Sequence, residues 1–166
     1  MNNQAQPMIW TPSHPLVMPR AASVTPLSVW YEICHLEEVY PGFGSWYWKK
    51  VVPGLSDGSR RMLTSTEGGV LNGVVIAKSQ CEKKICTVWV PRKFRGRSIA
   101  RRLMQDALDW LGTAKPLFTV PDERMDEFSV LVRELGFEHC STEVNYYGTG
   151  RLEHVFNGVL KAQLHA

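Results

Sequence analysis

Charge is nearly absent from the first 26 residues: Arg20 is the only charged side chain, and Pro7, Pro12, Pro15, Pro19 and Pro26 interrupt every apolar run. Such a segment lacks the basic start and unbroken apolar stretch of a secretory signal. It is expected to be an extended, proline-rich arm over residues 1–26, with Trp10 available to dock it. Nowhere does the chain hold the roughly 20 consecutive apolar residues of a membrane span, so no membrane partner is expected. The 4 cysteines, Cys34, Cys81, Cys86 and Cys140, form no C-x-x-C pair and have no histidines at zinc-finger spacing. No metal and no disulfide framework are expected, and the setting is read as reducing and cytoplasmic, with Cys34 and Cys86 as small buried hydrophobes. Internal repeats are also missing. With 19 basic and 16 acidic side chains the net charge is only +3, which suits an anionic small ligand without calling for nucleic acid.

The 166 residues suffice for one hydrophobic core, so residues 27–166 are expected to form a single domain after the arm. Residues 27–34 have apolar side chains on both sides of their alternation and are expected to form a buried first strand. Short helical segments follow at 35–40 and 45–52, with Pro53-Gly54 as the stop. Residues 60–66 and 70–78 read as a hairpin around Gly68-Gly69, with Gly73 marking a bulge or a close approach. After a polar turn, 84–90 completes a three-strand antiparallel meander. Ile99, Leu103, Ala107 and Leu111 recur every four residues and predict a helix from Ser98, which Gly112 ends. A strand at 116–120, a helix at 122–135 stopped by Gly136, and two closing strands over 137–147 and 151–160 finish the chain.

The most informative stretch joins the third meander strand to the first long helix. An apolar strand runs into a loop of arginine and glycine, and the helix starts at once. Free N–H groups and the positive dipole end of such a helix make an anion site, and Arg95 and Arg97 add fork-shaped donors. A nucleotide-like ligand laid along the strand, with its pyrophosphate on the helix start, fits this pattern.

Residues 95–100, Arg95-Gly96-Arg97-Ser98-Ile99-Ala100, resemble the acetyl-CoA motif of the GNAT acetyltransferases, Arg/Gln-x-x-Gly-x-Gly/Ala. Ser98 stands where that motif has its central glycine, adding a Cβ and a hydroxyl able to cap the helix or donate to phosphate. The order of elements over about 27–160 is also similar to the family's. The resemblance implies an α/β fold of the α+β type, with a mixed, mostly antiparallel sheet of 6–7 strands flanked by about four helices. It implies acetyl-CoA as cofactor, entering where two neighbouring strands part. Val88, Trp89 and Val90 would bond the pantetheine arm through their backbones, and Arg95, Gly96, Arg97, Ser98, Ile99, Ala100 and Arg101 would hold the pyrophosphate.

The acid and base are less directly marked. In the family a tyrosine four residues before the Gly-Phe that ends the last helix protonates the departing thiolate; here that position is Val132. Tyr146 and Tyr147, expected on a strand beside the cleft with one pointing inward, are the alternatives, with Tyr147 preferred. For a base, Glu82 lies in the turn before the meander's last strand, while Glu153 and His154 lie on the closing strand. His154 has the more suitable intrinsic pKa. Trp46 and Trp48 stand where the family builds its acceptor wall, and core packing explains them equally well.

The function implied is transfer of an acetyl group from acetyl-CoA to the amine of a protein, small molecule or aminoacyl-tRNA, by a monomer or homodimer. Arg92, Lys93, Arg101 and Arg102 would serve RNA if the acceptor is a tRNA. The competing reading is a non-catalytic acyl-CoA sensor or interaction module.

Overall fold

The computed structural model describes residues 23–161. The arm over residues 1–22, with Trp10, lies outside the described residues.

The first element is a helix, not the expected strand. α1 spans Pro26–Ile33, opened by Thr25 in a reciprocal cap with Ser28 and by Pro26 at its first position. Those two signals outweigh the apolar run, which instead supplies buried Val29 and Ile33. A 3-10 segment, Cys34–Glu38, follows and leaves Cys34 half-buried rather than buried. α2 (Phe43–Trp46), a π-helical stretch (Tyr47–Val51) and α3 (Val52–Ser56) then run on continuously. Pro53-Gly54 therefore does not stop the helix: Pro53 follows the π-helical stretch, where Val52 N already donates five residues back to Tyr47 O. Glu37 fixes this region, its carboxylate accepting from Gly42 N (2.7 Å) and Gly44 N (2.5 Å).

β1 (Arg60–Glu67), β2 (Val70–Lys78) and β3 (Lys84–Trp89) form the meander, with Gly68 and Gly69 both left-handed in the turn. α4 (Ile99–Leu111) leads to β4 (Leu117–Pro121), and α5 (Met125–Glu134) to β5 (His139–Val144) and β6 (Leu152–Phe156). The sheet order is β1-β2-β3-β4-β6-β5; only β3 and β4 are parallel.

Alternation along β2 builds two cores. Val75 and Ala77 pack under α4 and α5, while Val74 and Ile76 pack under the helices of residues 26–56. α4 lies so close to β2 that a Cβ on Gly73 would come within 2.6 Å of Ile99 Cγ2 and 2.8 Å of Leu103 Cδ1. Gly73 is thus a point of close approach beside the β2 bulge at Asn72, opposite Ser65/Thr66. Among the described residues no helix is long and apolar enough to cross a membrane.

Candidate active site

A bulge in β3 sets the geometry of the site. Ile76 faces Thr87 and Ala77 faces Ile85, so Cys86 is an extra, unpaired residue. A bulge bends and twists its strand. β3 and β4 pair only at Lys84–Leu117 and Ile85–Phe118, and beyond that point they part. The gap encloses about 20 Å³ and is bordered by Thr87, Val88, Thr119, Val120 and Tyr40. Thr87 Oγ1 is buried there without a hydrogen-bond partner.

Each side of the sheet has a larger cavity opening onto this gap. On the α4/α5 side a cleft of about 390 Å³ is lined by Val88, Val90, Arg95, Gly96, Ser98 and Arg101 among others. It shares Val88, Arg124 and Phe128 with the gap. On the opposite side, a cavity of about 390 Å³ shares Tyr40, Cys86 and Thr119 with it. The three cavities thus adjoin one another where the bulge bends β3.

The first cleft carries the arginine–glycine loop of residues 95–100. Gly96 and Ser98 are both left-handed, with φ of 76° and 58°. Ser98 sits at the N-cap of α4 through its carbonyl, which accepts from Arg102 N at 3.1 Å, and its hydroxyl makes no cap bond. The expected hydroxyl cap fails because the left-handed backbone aims the side chain elsewhere. Among the described residues the N–H groups of Gly96, Arg97 and Ser98 donate to no backbone carbonyl. A Cβ on Gly96 would meet nothing within 4 Å, so the loop is open to an approaching ligand. Ile99 and Ala100 line the same cleft, whereas Trp89 packs into the core of the other face and does not line it.

The arginines are not bare. Arg95 pairs with Glu127 at 3.0 Å and donates to Val90 O at 3.2 Å; Arg101 pairs with Glu134. Arg97 turns outward to Glu67 at 3.1 Å and does not line the cleft. Burial works to raise the Glu127 carboxyl, but Arg124 and Arg95 hold it below its ordinary value.

The second cavity is walled by aromatic rings. Tyr146 and Tyr147 lie in the loop after β5, not on the strand, so both line it rather than one. Tyr147 stands edge-on to Tyr40, centroids 5.5 Å apart, and its hydroxyl accepts from Lys84 Nζ at 3.0 Å. Tyr146 donates its hydroxyl proton to Lys161 O at 2.8 Å. Trp46 lines the cavity under the Arg60 guanidinium, while Trp48 packs on Trp30 and Tyr47 away from it, 41% exposed. Glu82 lines the cavity too, tied to Lys78 at 2.9 Å.

Alternation along β6 separates the two proposed bases. His154 contacts Asp122, Thr142 and His139, whereas Glu153 belongs to the acceptor-side face with Val155. Glu153 is 3% exposed, and its Oε1 has no partner. Burial pushes its carboxyl up to about 7, against the Thr119 hydroxyl and Lys84 ammonium nearby; Glu123 adds to the rise and His154 opposes it. Tyr40 is likewise pushed well above the usual phenol range, by burial first and then by Glu153. Arg151 holds the Tyr40 segment in place, donating to Val39 O (2.7 Å) and Glu38 O (3.2 Å).

Tyr40, Thr87, Thr119 and Arg124 escape a reading of sequence. Tyr40 precedes a Pro-Gly break and reads as a turn residue, and Thr87 and Thr119 read as strand filler; no local signal marks them. Val132, the position of the family's tyrosine, is a buried core residue of α5. Among the described residues no cluster of three or more His, Cys, Asp or Glu side chains is placed to hold a metal ion.

No protein-family model and no curated protein matches the sequence. Solved structures do match the fold. A GNAT-family protein from Desulfovibrio desulfuricans aligns with a TM-score of 0.56 at 10% identity, covering 68% of this chain and 75% of that one. Nourseothricin acetyltransferase aligns at 0.54 and 21% identity, over 60% of this chain and 65% of its own. An aminoglycoside 6'-N-acetyltransferase complexed with coenzyme A aligns at 0.54 and 13% identity, over 73% of this chain and 84% of that one. The chain thus has the fold of the GNAT acetyltransferases, a six-stranded mixed sheet parted between β3 and β4.

Proposed function

We propose that the protein is an acetyl-CoA-dependent N-acetyltransferase. The observation that carries this reading is the parting of β3 from β4: two cavities of about 390 Å³ on opposite faces each share lining residues with the gap beside Thr87 and Tyr40. A donor on one side and an acceptor on the other can react only at such an opening. The residues present suit coenzyme A: free amides at Gly96–Ser98 for a diphosphate, unpaired β3 backbone for an amide-rich arm, and an orphaned Thr87 hydroxyl in the gap.

Arg95 and Arg101, with the loop amides and the start of α4, would hold the diphosphate; Val88 to Val90 would align the arm. When bound, acetyl-CoA supplies a thioester carbonyl: the amine nitrogen forms a C–N bond there, the C–S bond breaks, and the thiolate leaves. Glu153, poised near neutrality on the acceptor side, takes the proton that the amine loses, with Thr119 between it and the cavity. Tyr40 keeps its phenolic proton and borders both the gap and the acceptor cavity, so it donates to the departing sulfur. Tyr147 orders Lys84 and supports the Tyr40 ring, and the Tyr146 hydroxyl is engaged elsewhere.

Calorimetry with acetyl-CoA and a thiol-release assay across a panel of amines test this reading. Expected are a heat of binding, a raised Tm, and thiol release that falls about 10²-fold in Tyr40→Phe with cofactor affinity retained. No heat removes the proposal. Binding without thiol release from any amine would leave the acyl-CoA sensor instead.

A further inference from the structure

Resting on the acetyl-transfer reading, we propose that the acceptor is a small amine that also carries an anionic group, carboxylate or phosphate, on an apolar body. The register of the meander places Arg60 opposite Lys78 and Lys78 opposite Lys84, so three cations stand in one row across β1, β2 and β3. All three line the acceptor cavity. Neighbouring strands lie about 4.8 Å apart, and like charges directly opposite one another destabilise a sheet. Such a row has a use that outweighs its cost.

Only the middle cation is neutralised. Lys78 pairs with Glu82, but among the described residues neither Arg60 nor Lys84 has a carboxylate within ion-pair distance. Arg60 lies 5.5 Å from the Trp46 ring and donates to Cys86 Sγ at 3.7 Å; Lys84 donates to the Tyr147 hydroxyl. Burial works to lower the Lys84 pKa, yet Tyr147, Cys86 and Glu82 hold it above its ordinary value, so the ammonium stays charged. Glu153 lies behind Thr119 and does not line the cavity with the row.

The row and the reaction point are a fixed distance apart. Because Cys86 is bulged out, Lys84 to Thr87 spans the same length as Lys78 to Ile76 of β2, two residues or about 7 Å at strand rise. An acceptor whose amine reaches the gap and whose anion reaches Arg60 or Lys84 is therefore small, with the Tyr40, Trp46 and Tyr147 rings flanking its body. A polyamine meets the same row as repulsion.

Matched probes test the proposal by calorimetry on the full chain, without acetyl-CoA: phenethylamine, 4-(2-aminoethyl)benzoate (adds a carboxylate at the far end of the ring), tyramine phosphate (adds a phosphate there) and spermidine. At least one anionic probe is expected to bind tenfold or more tighter than phenethylamine, and comparison of the two says which anion the row prefers. Arg60→Met and Lys84→Met are each expected to weaken the anionic probe several-fold while leaving phenethylamine unchanged. Unchanged phenethylamine binding in each variant shows that the fold and the cavity are kept, so a folding defect does not mimic the result. Phenethylamine or spermidine binding as tightly as both anionic probes overturns the proposal, as does a preference that survives the double substitution. Failure of the acetyl-transfer reading shows separately, as no thiol release from acetyl-CoA.

Discussion

Glu153 carries the largest electrostatic strain in the site. Its carboxyl is shifted from 4.5 to about 7, mainly by burial, which corresponds to about 3 kcal/mol between its two protonation states. A raised carboxyl binds more protons folded than unfolded between these values, so stability is full below about pH 4.5 and falls as pH rises through 7. Urea titrations of Glu153→Gln should show a flatter pH profile and a protein more stable than the parent at pH 8. A parent-like slope would locate the titrating group elsewhere. Ser98 holds a different strain, a left-handed backbone with a Cβ where glycine is at ease. Ser98→Gly is expected to add up to about 1 kcal/mol of stability in urea and to keep acetyl-CoA binding; a loss on either measure would show that the hydroxyl matters.

Between β2 and α4 the spacing itself is the device. A methyl on Gly73 has no room against Ile99 and Leu103, and overpacking of this kind costs about 1–3 kcal/mol. Ile99 opens the helix whose first turn carries the anion site, so Gly73→Ala should lower Tm and also weaken acetyl-CoA binding in calorimetry. A loss of Tm with unchanged affinity would mean that the strand yields rather than the helix. The meander also shows how an extra residue aligns side chains. Without the bulge at Ser65/Thr66 the Gly68-Gly69 turn would set Arg60 opposite Ala77; the extra Asn72 moves it to Lys78. The cation row exists because of that one-residue shift.

Across the molecule, what sequence disclosed was what local pattern encodes. The α4 period, the glycine turns and the arginine loop placed the sheet, the helix start and the cleft beside them. The 27–34 segment misled because an apolar run has no period of its own, while the Thr25 cap that decides it spans only four residues. The acceptor side was mostly hidden: Tyr40, Thr87, Thr119 and Arg60 come together through strand register, two bulges and a loop tied by Arg151. Glu153 and His154 were both visible, but which of them lies on the Thr119 face of the sheet depends on the phase of β6 against β4, which no single segment reveals.

The glutamates bound to Arg95 and Arg101 have a consequence for capture of the donor. Both belong to α5, so the phosphate loop arrives with counter-ions already attached to the helix across the cleft. In the proposed acetyl-CoA complex an incoming diphosphate would exchange one anion for another rather than meet naked positive charge. Recognition would then rest on shape and on the tally of amide donors more than on long-range attraction, and release of those carboxylates would unfasten α5 from the loop.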